Sequence, residues 1–154
     1  MSKIKLKIAT PERVVLEEEI DQITLPTSTG EITILPNHLP IVTSLKSGEI
    51  LAKKDGADLP LATSGGFVEF ADNELTILAD TAERVEEIDE TRAEEARARA
   101  AKLLEQQHEK SEIDFTAMAA KLEKELARLK VSQKYKHLKR SGPQIQIMQD
   151  EENH

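Results

Sequence analysis

The chain has 154 residues and a formal net charge of −8, which leaves room for one ordinary domain, or a compact domain with an appendage, but not for two large cores. Aromatic residues make up only 3% of it, with no Trp and a single Tyr, Tyr135; the core is therefore aliphatic, and a large aromatic-lined substrate pocket is disfavoured. The acidic balance argues against a general nucleic-acid binder, and the absence of Cys rules out a disulfide framework or a thiolate metal site and fits a reducing compartment.

From Met1 to about Ala82 the pattern is short and alternating. KIKLKI sets Ile4, Leu6 and Ile8 against Lys3, Lys5 and Lys7, the period of a half-buried strand. Similar runs follow at 22–25, 31–35, 40–45, 49–53, 59–63, 66–70 and 74–78. They are separated by turn residues at Gly30, Pro36-Asn37, Ser47-Gly48, Asp55-Gly56, Gly65-Gly66 and Asp72-Asn73. Eight or so short strands at this spacing predict a small β-sandwich or barrel over 1–84. The acidic run Glu17, Glu18, Glu19 reads as solvated surface.

After Ala82, glycine and proline disappear until Gly142 and the hydrophobic period lengthens to about 3.6. Ala93, Ala96, Ala100, Leu103 and Leu104 form the stripe of a first helix. Phe115, Met118, Ala119, Leu122, Leu126 and Leu129 form that of a second. An antiparallel hairpin over 85–135 follows, broken at about 108–113, with Asp114 as the second N-cap and Ile113 and Met118 as a hydrophobic staple. Residues 83–114 carry a net −5 and residues 115–140 a net +6, so the two helices complement each other electrostatically. From 136 to 154 the pattern weakens into a flexible tail with a basic KHLKR, a break at Ser141-Gly142-Pro143 and an acidic end. The sequence shows neither a signal peptide nor an apolar run of membrane-spanning length, so any membrane association runs through partners.

Catalytic templates are missing. SGG at 64–66 lacks the Lys and following helix of a phosphate loop, Ser64 has no paired His at a nucleophile spacing, and the four histidines show no ligand-like spacing. The expectation is a chain that is not an enzyme in its own right.

GEITILPNHLPIVTSLKSG (30–48), SGGFVEFADNELTILADTAE (64–83) and IDETRA (88–93) resemble, in order and spacing, three signatures of the epsilon subunit of the rotary proton-translocating ATP synthase. The resemblance covers roughly the first 135 residues. It implies a β-sandwich gripping the central stalk beside the membrane rotor ring, followed by a helix hairpin that folds onto the sandwich or extends towards the catalytic subunits, which carry an acidic loop near the stalk. Such a subunit couples proton-driven rotation to ATP synthesis and inhibits ATP hydrolysis through its C-terminal helices. Its partners are the gamma subunit, the rotor (c) ring and the catalytic alpha and beta subunits, with no nucleic acid and no direct membrane insertion, at the cytoplasmic face of the bacterial cell membrane.

The resemblance also assigns residues. Glu31 and His38 face the rotor ring and gamma; on their own they read as a solvated turn carboxylate and a turn residue between two prolines. IDETRA starts a helix, with Asp89 as N-cap and Ile88 as the preceding staple residue. In bacterial members the same pattern belongs to a regulatory ATP site, no cofactor being required. Arg92 and Arg99, seven residues apart on one flank, receive phosphates, Glu83, Ile88 and Asp89 lie on the base side, and Arg128 matches a phosphate arginine. Lys124 stands where strong binders carry a further arginine and replaces a planar fork with a point charge. The local alternative is that Asp89 and Arg92 form only an i,i+3 pair. Two other readings stay open: a stand-alone nucleotide-sensing adaptor, and a structural scaffold.

Overall fold

The computed structural model describes residues 2–106 and 112–140. Seven strands come first: β1 (Ile4–Ala9), β2 (Val14–Ile20), β3 (Gln22–Thr27), β4 (Gly30–Ile34), β5 (Ile41–Lys54), β6 (Ala57–Ala71) and β7 (Glu74–Arg84). A single 3-10 turn, Val85–Glu87, leads into α1 (Glu90–Gln106), α2 (Glu112–Lys134) and α3 (Lys136–Arg140). The expected β-sandwich followed by a helix hairpin is the fold observed.

The strands hydrogen-bond in the order β2-β1-β7-β6-β5-β3-β4, antiparallel except for β1 with β7. One continuous ladder makes two layers because β5, β6 and β7 are long enough to belong to both. Their pairing breaks near the middle: β6 and β7 shift register at Gly65 and again at Gly66, and both glycines have positive φ, 124° and 146°. A Cβ at Gly66 would lie 2.1 Å from the Leu78 carbonyl oxygen, so only glycine lets β6 turn the corner against β7. Gly65-Gly66 and Ser47-Gly48, expected to be turns, are therefore interior to β6 and β5, and the runs they separate fuse into single bent strands. True two-residue turns remain at Asp55-Gly56 and Asp72-Asn73, all four residues at positive φ, the conformation that suits the twist of a tight hairpin.

β2 has no counterpart among the expected strands. Its three glutamates hide the alternation, yet Val15, Leu16 and Ile20 are buried, while Glu17 and Glu19 stand opposite Lys7 and Lys5 of β1. Opposite charges across neighbouring strands stabilise the pairing modestly. Glu18 is held by Lys54 at 2.5 Å and Glu17 lies 4.0 Å from Lys7, so two members of the run are paired rather than merely solvated. The core between the layers is aliphatic, with Ile4, Ile8, Ile23, Leu25, Ile34, Ile50, Leu61, Leu75 and Ile77 essentially inaccessible and Phe70 the only large ring among them.

The hairpin buries small residues, as its composition suggests: Ala93 and Ala100 on α1, Ala127 on α2. Leu103, Phe115 and Leu126, read as parts of the apolar stripes, are instead 43–55% exposed. The buried side of α2 extends round to Val131, and on to Tyr135 just past its end, because this helix packs on the sandwich as well as on α1. Asp114 lies inside α2, which already includes Glu112, so it does not cap that helix; an acidic residue at 112 suits the positive end of a helix. Of the break expected at about 108–113, residues 112 and 113 already belong to α2, and the remainder lies outside the described residues, as do the staple side chain of Ile113 and the expected features of 141–154. Residues 136–140, expected to belong to the tail, form α3.

Candidate functional site

The hairpin docks on three neighbouring strands of one layer. Glu49 of β5 pairs with Ala62 of β6, which pairs in turn with Glu83 of β7, so the three residues form a row with a small side chain between two carboxylates. Each carboxylate takes a cation from α2. Arg128 Nε lies 3.1 Å from Glu83, and its Nη1 lies 2.7 Å from Glu125 on its own helix. Lys134 Nζ lies 2.9 Å from Glu49, and the Tyr135 hydroxyl donates a hydrogen bond to the same carboxylate.

This register follows from elementary geometry. Two strand spacings separate the carboxylates by about 10 Å, and seven residues of helix from Arg128 to Tyr135 rise by about 10.5 Å. A helix crossing the strands can therefore set one polar contact on each carboxylate, with Val131 over Ala62 between them. Val131, Tyr135, Ala62, Val85 and Ile88 form a buried apolar cluster, with Leu51 and Leu138 packed at its edge.

Electrostatics agree with the geometry. Burial alone would lower the pKa of Arg128, but Glu83 and Glu125 more than offset it and raise it above the ordinary arginine value. Tyr135 is raised by burial and then by its hydrogen bond to Glu49, and Lys134 is raised chiefly by Glu49. The acid-base complementarity expected between the two helices is mostly directed elsewhere: α2 and its end spend their cations on Glu83 and Glu49 of the sandwich. Among the described residues, Lys136 to Glu90 at 3.7 Å is the ion pair joining the first helix to the basic segment.

The residues singled out as a nucleotide site are brought together in part. Asp89 accepts a hydrogen bond from the Arg92 backbone at 3.1 Å, which makes it the N-cap of α1 as expected, and its other oxygen lies 3.6 Å from Arg92 Nε. Arg92 is 83% exposed at its side chain, and Arg99 is exposed too. Glu83 and Arg128 meet directly. Ile88 is buried in the docking cluster, and Lys124 is half-buried with no ion pair among the described residues.

The opposite half of the same three strands carries a different surface. His38 is exposed, its Nδ1 hydrogen-bonded to the Leu39 carbonyl at 2.7 Å and its ring edge-on to Phe70. The loop is fixed by an exchange of bonds in which the Asn37 backbone donates to the Asn73 side chain at 2.6 Å and the Asn73 amide donates to the Asn37 side chain at 3.0 Å. Beside it Val42 is 76% exposed, Phe67 66% and Leu78 59%. Phe67 faces Leu78 across β6 and β7, and Val42 projects from the same face of β5. Sequence reasoning missed these three. Their signal was apolar residues at the outward positions of alternating strands, where Ser44, Glu69 and Thr76 are the polar neighbours. Glu31 is exposed at the start of the edge strand β4, opposite Pro26, and shares no contact with His38 among the described residues.

Two family models divide the chain as the fold does. The beta-sandwich domain of the ATP synthase Delta/Epsilon chain matches residues 3–85, and the long alpha-helix domain of the same chain matches residues 86–133. The chain belongs to the ATP synthase delta/epsilon family. A relative named ATP synthase epsilon chain from Chloroflexus aggregans is 47% identical over 139 residues, covering 90% of this chain and 99% of its own. The epsilon chain of Herpetosiphon aurantiacus is 55% identical over 97 residues, 63% of this chain and 71% of its own. Epsilon chains are non-catalytic subunits of that complex, in line with the sequence expectation. The fold also matches a chain in the cryo-EM structure of the Euglena gracilis mitochondrial ATP synthase, with a TM-score of 0.70 at 24% identity over 82% of this chain and 79% of that one. Among the described residues no helix is long and apolar enough to cross a membrane.

Proposed function

We propose that this chain couples rotation of a membrane rotor to ATP synthesis as a central-stalk subunit, held at the cytoplasmic face by the gamma subunit and the rotor ring. The observation that carries this reading is the exposed Val42, Phe67 and Leu78 face beside His38. The sandwich has a closed core of its own, and a contiguous apolar face left outside such a core marks a protein contact. Glu31 supplies a charged contact to the ring from the edge strand. The direct test is co-purification: the chain retains gamma and the rotor ring, and Phe67→Asp together with Leu78→Asp releases both while the fold persists. Retention of both partners by that variant overturns the assignment of this face.

The docked hairpin is the resting form of a regulator in this reading. Undocking takes Arg128 and Lys134 from their carboxylates and offers them, with the exposed Lys121 and Lys130, to the acidic loop of the catalytic subunits, which inhibits ATP hydrolysis. ATP acts as the regulatory ligand of the docked form. Arg92 and Arg99 are exposed to receive phosphates, Arg128 trades Glu125 for a phosphate oxygen, and Glu83, Ile88, Asp89 and Lys124 complete the site. Calorimetry on the full chain tests it: Arg92→Ala weakens ATP binding by about 1.5–3 kcal/mol, the range for a charge-assisted contact. An unchanged isotherm removes Arg92 from the site.

A further inference from the structure

The docking contacts do not end where the helical family model ends. Residue 133 is the last one matched, yet Lys134, Tyr135 and Leu138 immediately follow and face the sandwich: Lys134 and Tyr135 share Glu49, and Leu138 packs on the apolar cluster. Tyr135 is 5% exposed, as deeply covered as the residues of the sandwich core it packs against. The chain is shaped to keep it there. The Tyr135 backbone N–H still donates to Val131 at 3.1 Å, and the Leu138 N–H donates to Tyr135 at 3.0 Å, so the α2 trace is carried across the joint into α3 rather than released.

We propose that residues 134–138 form a clasp that sets how readily the helical hairpin leaves the sandwich, with Glu49 as its receptor. The proposal rests on the regulatory reading above only for its consequence in the assembled complex; the clasp itself is a property of the single chain.

Three features make this a clasp rather than incidental packing. The contact lies about two helical turns from the Arg128 and Glu83 contact, so it closes the far end of the interface and opposes fraying from the end of the helix, the place where unzipping begins. It combines one cation, one phenol and one carboxylate, so neither Lys134 nor Tyr135 leaves Glu49 unpaired when the other moves. Its receptor belongs to the same bent strand that carries Val42, so the clasp closes onto the rigid body of the sandwich and not onto a loop.

The helices are expected to undock more readily when the clasp is opened. Glu49→Gln and Tyr135→Phe in the full-length chain, and a chain ending at residue 133, are compared with the unaltered protein by amide exchange. Hydrogen bonds to a charged group in a half-buried site set the scale, so α2 exchange should rise on the order of tenfold in Glu49→Gln, less in Tyr135→Phe, and most in the shortened chain. Protection of β1 to β7 should stay unchanged, which separates undocking from unfolding. Unaltered α2 exchange in the shortened chain with the strands intact overturns the clasp. In the reconstituted complex, Glu49→Gln and Tyr135→Phe, which keep every helix cation, should inhibit ATP hydrolysis more strongly. Faster α2 exchange with unchanged hydrolysis upholds the clasp and overturns the regulatory reading instead.

Discussion

Tyr135 is the only tyrosine in a chain without tryptophan, so its ionisation can be followed by absorbance with no competing signal. Burial and the Glu49 hydrogen bond raise its pKa above 10.0, which means the docked helix holds the neutral phenol. Its contribution is therefore intact below the ordinary tyrosine value and is lost as pH rises through the raised one. Lys134, also raised, titrates in the same sense, so alkaline pH should undock the helices before the sandwich melts. The tyrosinate transition should move down towards 10 in Glu49→Gln; a transition that stays put would detach Glu49 from the phenol. Arg128 and Glu83 are about four-fifths buried. Arg128→Ala should cost about 1–3 kcal/mol of hairpin docking, because it leaves Glu83 and Glu125 facing each other's charge, as read from exchange of α2. At Gly66 the penalty is steric: a methyl group 2.1 Å from a carbonyl oxygen, at a φ that L residues avoid, should make Gly66→Ala about 3 kcal/mol less stable in urea.

At the scale of elements, the sandwich should fold without its helices. Every member of its core cluster lies between Ile4 and Ala82, and truncation after residue 85 uncovers little apolar surface on the sandwich, namely Ala62, Val85 and the edge of Leu51. Circular dichroism of strand type and strand protection equal to that of the full chain are expected; an unfolded fragment would join the two parts into one cooperative unit. Much of this division was legible in the sequence because it follows from hydrophobic period, and the shift from two to 3.6 after Ala82 is sharp. Glycine was harder to read. At Gly56 it makes a turn, at Gly66 a bend inside a strand, and the difference depends on whether β7 lies alongside, a long-range fact. β2 was concealed by its glutamates, whose partners on β1 and β5 only the register reveals. Asp89 capping was legible because its partner is three residues away, whereas the Glu49 and Glu83 receptors of the docked helix, 85 and 45 residues from theirs, carry no local mark.

For the whole molecule, the regulatory proposal makes charge the arbiter between the sandwich and a partner as the seat of the helices. Reversing Arg128 would break docking and confuse the two effects, so the informative pair is Lys121 and Lys130, both exposed on α2. Lys121→Glu with Lys130→Glu should leave α2 exchange unchanged in the free chain and raise ATP hydrolysis in the complex. Exposed contacts are worth up to about 1 kcal/mol each, which implies a several-fold rise at most, shrinking in high salt. Unchanged hydrolysis with the subunit still bound would exclude an electrostatic hold on the catalytic subunits.

The bent strands have a mechanical meaning as well. Val42, Phe67 and Leu78 stand on one half of β5, β6 and β7, and Glu49, Ala62 and Glu83 on the other half of the same strands. A load applied at the apolar face reaches the seat of the helices along covalent backbone, around a corner braced by the Gly66 close approach, and does not have to cross a side-chain interface that could slip. Such a body twists as one stiff piece between its two attachment surfaces, so any compliance in the subunit resides at the helix seat.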